Sequence, residues 1–417
     1  MAQRLDGKTI VLGLSGGIAC YKAADLVRLL VRAGAQVRVM MSAAAQEFIT
    51  PLTLQTLSGH PVSTNTFDLT QESEIGHIRL ADMADAVVIA PATANVVGKI
   101  AAGIGDDVLT TVLLATRAPV LLAPSMNVNM FENPVVQGNL ERLRARGVRI
   151  IEPGEGFLAC GWEGKGRLAD VDVILAEIEQ VLSPHDLIGE RVLVTAGPNR
   201  EAIDPVRFIS NRSTGKMGFA LAAAAWRRGA EVVLVAGPTA LPAPHGIQLR
   251  SVTSAEDMRR AVADEFDRTT ILLMCAAVAD YRPAQVASQK LKKGSGRVVL
   301  ELDRTTDILA ELAPRKGTRL MVGFAAETEH VLANAERKLS EKNLDLIVAN
   351  DVAGTETGFA VDTNAVTVID RAGTRVAVPV MSKDAVADRI LDHVVALRQR
   401  GKVRPARSRV TAVTARR

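Results

Sequence analysis

Cysteine is scarce. The chain of 417 residues has three, Cys20, Cys160 and Cys275, widely spaced and without a C-x-x-C pair. That excludes a disulfide-stapled scaffold and a cysteine-rich zinc site. The six histidines form no H-E-x-x-H or related pattern, so nothing points to a metal site built by the protein alone. No run of 18 apolar residues is free of charge, and no transmembrane helix is expected. The polar start, residues 1–8, carries no signal-peptide core, so a cytoplasmic location with reduced thiols is expected. Acidic residues are missing from Arg398 to Arg417, which hold eight basic ones. The rest carries 42 basic against 46 acidic residues, so the basic balance belongs to the tail and no nucleic-acid partner is expected. Residues 402–417 lack hydrophobic periodicity and are expected to be disordered.

What is present is ordinary globular material, 48% hydrophobic and 23% charged, long enough for two or three domains. A strand at Thr9–Leu14, a glycine-rich turn, a helix near Ala19–Ala33 and a strand at Gln36–Met40 make a parallel crossover unit. Asp85–Ala90 and Val120–Leu122 read as further buried strands. The same grammar restarts after Gly189. Arg191–Ala196 is a strand, a long loop leads to Lys216, Met217–Arg228 is a helix and Glu231–Ala236 the next strand. Ile271–Cys275, Arg319–Gly323, Asp345–Ala349 and Ala365–Ile369 follow. The fold class expected is α/β, with two doubly wound parallel-sheet domains at 1–183 and 188–401, joined by a short turn-prone linker.

The turn after the first strand reads G-x-x-G-G, not G-x-G-x-x-G. It is either a tight strand-to-helix turn or a phosphate or flavin site at a helix N-terminus. A nicotinamide-dependent oxidoreductase would call for the missing pattern and an acidic residue about 20 positions on. His77 and the segments 91–95 and 124–130 fall where such sheets hold ligands, although a histidine or asparagine can also be structural. Segment 154–167 has five glycines in fourteen residues and is expected to be mobile. Cys160 on it is either incidental or a reactive thiol on a lid. The lysines from Lys290 to Lys293 are either a solvated face or a clamp for phosphates.

Taken together, these segments resemble the bifunctional phosphopantothenoylcysteine decarboxylase/phosphopantothenate–cysteine ligase family of coenzyme A biosynthesis, from about Lys8 to about Arg398. The first half is similar to flavin-dependent cysteine decarboxylases. The resemblance implies FMN held by Gly16, Gly17, Ser42 (at the phosphate), Pro91, Thr93, Asn95 and Met126. Cys20 stands where alanine is common. His77 falls on the active-site histidine, Asn127 on the residue for the substrate carboxylate, and Cys160 on the proton-donating lid cysteine. A binding or regulatory relative would lack one of these three. For the second half the resemblance implies a Rossmann-like ligase. Asn211 and Lys290 fall on its catalytic positions. Ala276, Asp280, Lys290, Thr306, Asp307, Ile308, Leu309, Phe324, Lys338 and Lys342 would contact CTP, with Asp280 toward Mg²⁺ (or Mn²⁺). Thr306 stands where the family often has proline. The partners implied are 4'-phosphopantothenate, L-cysteine and CTP, and the assembly a homo-oligomer, a dodecamer containing ligase-domain dimers.

The implied chemistry is coherent. The flavin oxidises the carbon bearing sulfur, which gives the carboxylate an electron sink for loss of CO₂, and the hydride then returns with a proton. CTP converts an inert carboxylate into an acyl-cytidylate, which the cysteine amine attacks.

Overall fold

The structure, a computed structural model, describes residues 3–66, 76–157, 161–293, 297–327, 329–351, 358 and 361–403. The chain divides into two compact units, Met1–Pro184 and His185–Arg417. The expected tail, from residue 404 on, and Cys160 lie outside the described residues.

The first unit runs β1 (Thr9–Leu14), α1 (Ala23–Arg32), β2 (Gln36–Met41), α2 (Pro51–Ser58), α3 (Gly76–Met83), β3 (Ala86–Ala92), α4 (Ala94–Ala102), α5 (Val108–Ala115), β4 (Val120–Pro124), α6 (Val128–Glu132), α7 (Pro134–Ala145), β5 (Arg149–Ile150), β6 (Gly154–Phe157), β7 (Glu163–Arg167) and α8 (Val171–Val181). Five strands form one parallel sheet in the order β2-β1-β3-β4-β5. Its strands read as unbroken apolar runs because both faces are covered. In β1, Ile10, Leu12 and Leu14 enter a core with α1 and α8, whereas Val11 enters a second core with α4 and α5. Helix α1 buries Ala23, Leu26, Val27 and Leu30, the i, i+3, i+4, i+7 stripe that puts one face on the sheet. Each such buried leucine contributes about 1.5–3 kcal/mol relative to exposure. Part of the expected first helix is a separate 3₁₀ turn, Ile18–Lys22.

The second unit runs β8 (Arg191–Ala196), β9 (Arg200–Ala202), β10 (Phe208–Ser210), α9 (Lys216–Arg227), β11 (Glu231–Ala236), β12 (Gln248–Ser251), α10 (Ala255–Phe266), β13 (Ile271–Met274), β14 (Tyr281–Pro283), β15 (Leu302–Arg304), α11 (Ile308–Leu312), β16 (Leu320–Glu327), α12 (Val331–Glu341), β17 (Leu346–Asp351), β18 (Thr363–Asp370), β19 (Arg375–Ser382) and α13 (Lys383–Val403). Its sheet has the order β12-β11-β8-β13-β16-β17-β18-β19. The first six strands are parallel, in doubly wound order. The last two are antiparallel, so the sheet is mixed where a parallel one was expected. The turn at 371–374 is short enough to join β18 directly to β19 as antiparallel neighbours. Helices α10, α11 and α12 bury Phe266, Leu312 and Leu339 on one face. Helix α13 closes the other with α9, through Arg227 Nη2 to Asp388 Oδ1 at 2.8 Å and Arg228 Nη1 to Asp392 Oδ1 at 2.8 Å.

Two segments expected as loops carry structure. The stretch after β8 contains the hairpin β9–β10, where the Arg200 guanidinium lies 4.6 Å from the Phe208 ring centroid. The glycine-rich segment near residue 160 contributes the paired strands β6 and β7.

Candidate functional site

In each unit the cleft opens where neighbouring crossovers leave to opposite faces, at the carboxyl ends of the strands. In the first unit that point lies between β1 and β3. Ser15, buried just past β1, ties the two strand ends together: its Oγ donates to the Pro91 carbonyl at 2.7 Å and accepts from Thr93 N at 2.9 Å. The Cys20 thiol is buried, donates to the Ser15 carbonyl at 3.1 Å, and is pushed up by burial. It is a packing residue.

A cleft of about 770 Å³ is lined by Gly16, Gly17, Ser42, Thr93, Asn95, Met126 and Asn127, among others. Gly16 is required by contact: a Cβ there would lie 2.4 Å from Ala44 Cβ. Gly17 is not, since the nearest atom to its Cβ would be Thr93 Cγ2 at 3.5 Å. Thr93 is the N-cap of α4 without a side-chain hydrogen bond to the helix, so backbone N–H groups of the first turn face the cleft unclaimed by the cap. Ser42 caps the 3₁₀ turn Ala43–Glu47 by accepting from Ala45 N, which leaves its hydroxyl proton as a donor. Asn127 caps α6, accepting at Oδ1 from Asn129 N at 2.8 Å. Of the lining residues only Lys99 and Asp107 are charged, and Lys99 is paired with Asp106. The walls therefore suit a flat, largely apolar ring system with an anion held by amides and hydroxyls.

The hairpin β6–β7 borders this cleft through Gly166. A Cβ at Gly166 would lie 2.3 Å from the Met126 carbonyl oxygen, and Met126 N donates to Gly166 O at 2.9 Å. Glycine density here reflects a close backbone approach. Pro91 contributes its carbonyl to Ser15 rather than a surface to the cleft. His77 lies in the first turn of α3 and does not line the cleft; its Nδ1 is buried without a hydrogen-bond partner among the described residues.

The second cleft, about 780 Å³, lies past β8, β13 and β16. Its lining includes Asn211, Ala276, Asp280, Thr306, Asp307, Ile308, Leu309, Phe324, Lys338 and Lys342. Asn211 Nδ2 donates to the Ala277 carbonyl at 2.9 Å, bridging two walls. Lys338 pairs with Glu327 at 2.7 Å and Lys342 with Asp307 at 2.8 Å. Their i, i+4 spacing puts both on one side of α12. The bond from Lys342 helps hold the Asp307 carboxyl below its usual range against the opposing effect of burial. Among the described residues no group of three or more His, Cys, Asp or Glu is placed to hold a metal ion.

Lys290 is the exception. It is exposed and outside the cleft, in a segment held by Asp204: Leu291 N donates to Asp204 Oδ2 at 3.1 Å, and Arg207 Nη2 donates to the Leu291 carbonyl at 2.9 Å. Lys216, Asn350, Asn364 and Lys383 also line this cleft. Sequence reasoning gave Lys216 only as the end of a segment, 210–216, that resembles a P-loop in composition without its spacing, and assigned no role to Ser15, Gly166, Lys383, Asn350 or Asn364. Ser15 and Gly166 act through partners far along the chain, and the last three carry no local pattern that separates them from solvated or turn residues.

No helix among the described residues is long and apolar enough to cross a membrane. Residues 1–183 match the Flavoprotein family, and residues 187–397 the DNA/pantothenate metabolism flavoprotein C-terminal domain. The coenzyme A biosynthesis bifunctional protein CoaBC of Bacillus subtilis (strain 168) is 50% identical over 399 residues, 94% of this chain and 98% of that protein. Its counterpart from Escherichia coli (strain K12) is 46% identical over 399 residues, 94% of this chain and 97% of its own length. A crystal structure of the C-terminal domain of a CoaBC protein is 42% identical, with a TM-score of 0.45, over 52% of this chain and 99% of that one. With a flavoprotein first half and a pantothenate-metabolism second half, the chain belongs to the CoaBC family of bifunctional decarboxylase–ligase enzymes of coenzyme A biosynthesis.

Proposed function

We propose that the two clefts divide the two reactions, with the ligase in 188–401 and the decarboxylase in 1–183. The second cleft joins L-cysteine to 4'-phosphopantothenate at the expense of CTP, and the first decarboxylates the product to 4'-phosphopantetheine. What carries the reading is that every residue assigned by resemblance to CTP, apart from Lys290, lines one cleft at the carboxyl edge of the second sheet.

In the first cleft the residues fit FMN. Gly17 leaves open a space that packing does not demand, the α4 amides and the Ser42 hydroxyl can donate to a phosphate, and the remaining walls are mainly apolar. FMN supplies a reversible acceptor for the substrate's hydride. Asn127, its amide oriented by the Asn129 N–H, would give Nδ2 protons to the substrate carboxylate. Cys160 would return the last proton; His77, which lies outside this chain's own cleft, would act at or before loss of CO₂ in a cleft that the homo-oligomer completes.

In the second cleft the substrate carboxylate attacks the α-phosphorus of CTP and pyrophosphate leaves. The cysteine amine then attacks the acyl carbon, CMP leaves and the amine loses a proton. Lys338 and Lys342 offset phosphate charge. Asp280, exposed on the cleft wall, would join a Mg²⁺ or Mn²⁺ ion carried in by the nucleotide, which needs only one or two protein carboxylates. Asn211 would hold the intermediate. The chain would act in the cytoplasm as a homo-oligomer, a dodecamer with ligase-domain dimers.

The test has two arms. The chromophore released on denaturation should have the mass of FMN, and pyrophosphate should leave CTP only when 4'-phosphopantothenate is present. A colourless protein from flavin-replete cells sinks the first assignment. Pyrophosphate release that ignores the acid sinks the second.

A further inference from the structure

Asn211 is exposed and stands between β10 and α9, in a stretch without helix or strand. Its side chain reaches the Ala277 carbonyl, but its backbone is placed by what precedes it, the hairpin β9–β10. The two strands have three residues each and form a sheet of their own. They add no residue to the core under α10, α11 and α12. A two-stranded hairpin is marginal in water by itself, so bonds to the body must fix it.

Three such bonds converge on the start of α10. Asn199 is fully buried, and its Nδ2 donates to the Ser254 carbonyl at 3.0 Å. Arg200 N donates to the Thr253 carbonyl at 2.8 Å. Ala255 N, the first amide of α10, donates to Oε1 of the buried Glu201 at 2.7 Å. Helix α10 has its own cap without that bond, because Ser254 and Asp257 form a capping box. The bond therefore serves to mount the incoming strand. The outgoing strand is tied to this mount at the end nearest Asn211, where Ser210 Oγ donates to the Asn199 carbonyl at 2.7 Å. A path of hydrogen bonds thus runs from the start of α10 to Asn211 through one hydroxyl. Ser210 itself does not line the cleft.

We propose that Ser210 is a positioning residue of the ligase. Its hydroxyl fixes where Asn211 enters the cleft, and through Asn211 it governs retention of the acyl-cytidylate until cysteine attacks. This rests on the reading of Asn211 above.

The experiment gives the full chain CTP and 4'-phosphopantothenate. It measures pyrophosphate release without cysteine, then the joined product formed per pyrophosphate once cysteine is added, by mass. In Ser210→Ala the first quantity and the Tm should stay at the parent values, since an exposed substitution outside the core costs little stability. The second should fall roughly 2–12-fold, the range of one neutral hydrogen bond. Ser210→Thr, which keeps the hydroxyl, should restore it. Ser210→Ala combined with Asn211→Ala should do no worse than Asn211→Ala alone, because residues that act through one another are not additive. An unchanged product yield in Ser210→Ala overturns the positioning role. So does a pyrophosphate release that falls in proportion to product, a lowered Tm, or a double variant in which the two losses multiply. Asn211→Ala with the parent's product yield refutes the reading of Asn211, and the positioning role with it.

Discussion

A methyl group added at Gly16 would meet Ala44 Cβ at 2.4 Å and the Ala44 carbonyl at 2.8 Å, whereas at Gly17 it would find ordinary contact at 3.5 Å. The two glycines are adjacent, yet packing demands only the first; on the proposed reading the second keeps space for the flavin. Gly16→Ala should cost about 1–3 kcal/mol of stability through overpacking, visible as a lower Tm of the flavin-free protein. Gly17→Ala should leave that Tm alone and weaken flavin binding, measured by fluorescence titration. Equal Tm losses in both variants would remove the distinction. Cys160→Ser is expected to lose CO₂ from substrate but to release final product on the order of 10²–10⁴-fold more slowly, the range for a positioned acid, with the decarboxylated species detected by mass. Normal turnover would make the thiol incidental. Some of this scale was legible in the chain: Gly16 and Gly17 of the G-x-x-G-G turn, Ser42 and residues 93–95 reach one cleft. Ser15 was not, because its partners Pro91 and Thr93 are neighbours only once β1 lies beside β3.

Between β9 and β10 the turn is organised by one carboxylate. Asp204 accepts from Val206 N, Arg207 N, the Arg207 guanidinium and Leu291 N, and the Arg207 bonds hold its pKa far below the usual carboxylate range. A depressed carboxyl stabilises the fold above the ordinary aspartate pKa and loses that contribution only as pH falls through its own lower value. The Leu291 amide resonance should therefore titrate with a midpoint below that of a free aspartate. Asp204→Asn should release the 287–293 segment at neutral pH, giving faster tryptic cleavage after Lys290 and lower ligase activity. An unchanged cleavage rate would show that the segment is held elsewhere. Strands and their alternation were readable here because parallel strands covered on both faces are plain apolar runs. The hairpin β6–β7 was not, since five glycines look like freedom until Met126 is seen lying against Gly166. The direction of β18 was equally hidden, because an apolar run of that length carries no sign of whether it runs parallel or antiparallel.

Each unit has its own sheet and its own cores. Residues 188–402 made alone should therefore fold, form the acyl-cytidylate and join cysteine, as judged by pyrophosphate release and product mass. An insoluble fragment would mean that the second unit depends on the first. The strand–turn–helix grammar restarts at Gly189, a few residues after the point between Pro184 and His185 where the two units divide, whereas assembly leaves no such mark on a single chain. The second unit is sealed by its final helix: Arg227 and Arg228 of the α9 region reach Asp388 and Asp392, and Arg398 reaches Glu190 at the entry to β8. That places the halves on different clocks during synthesis. Everything the first sheet needs has been made by Pro184, while α13 begins only at Lys383, about 200 residues later. At about 5–20 residues per second, the ribosome gives the flavin half some 10–40 s to fold before α13 begins. The ligase half cannot cover α9 until α13 has been translated.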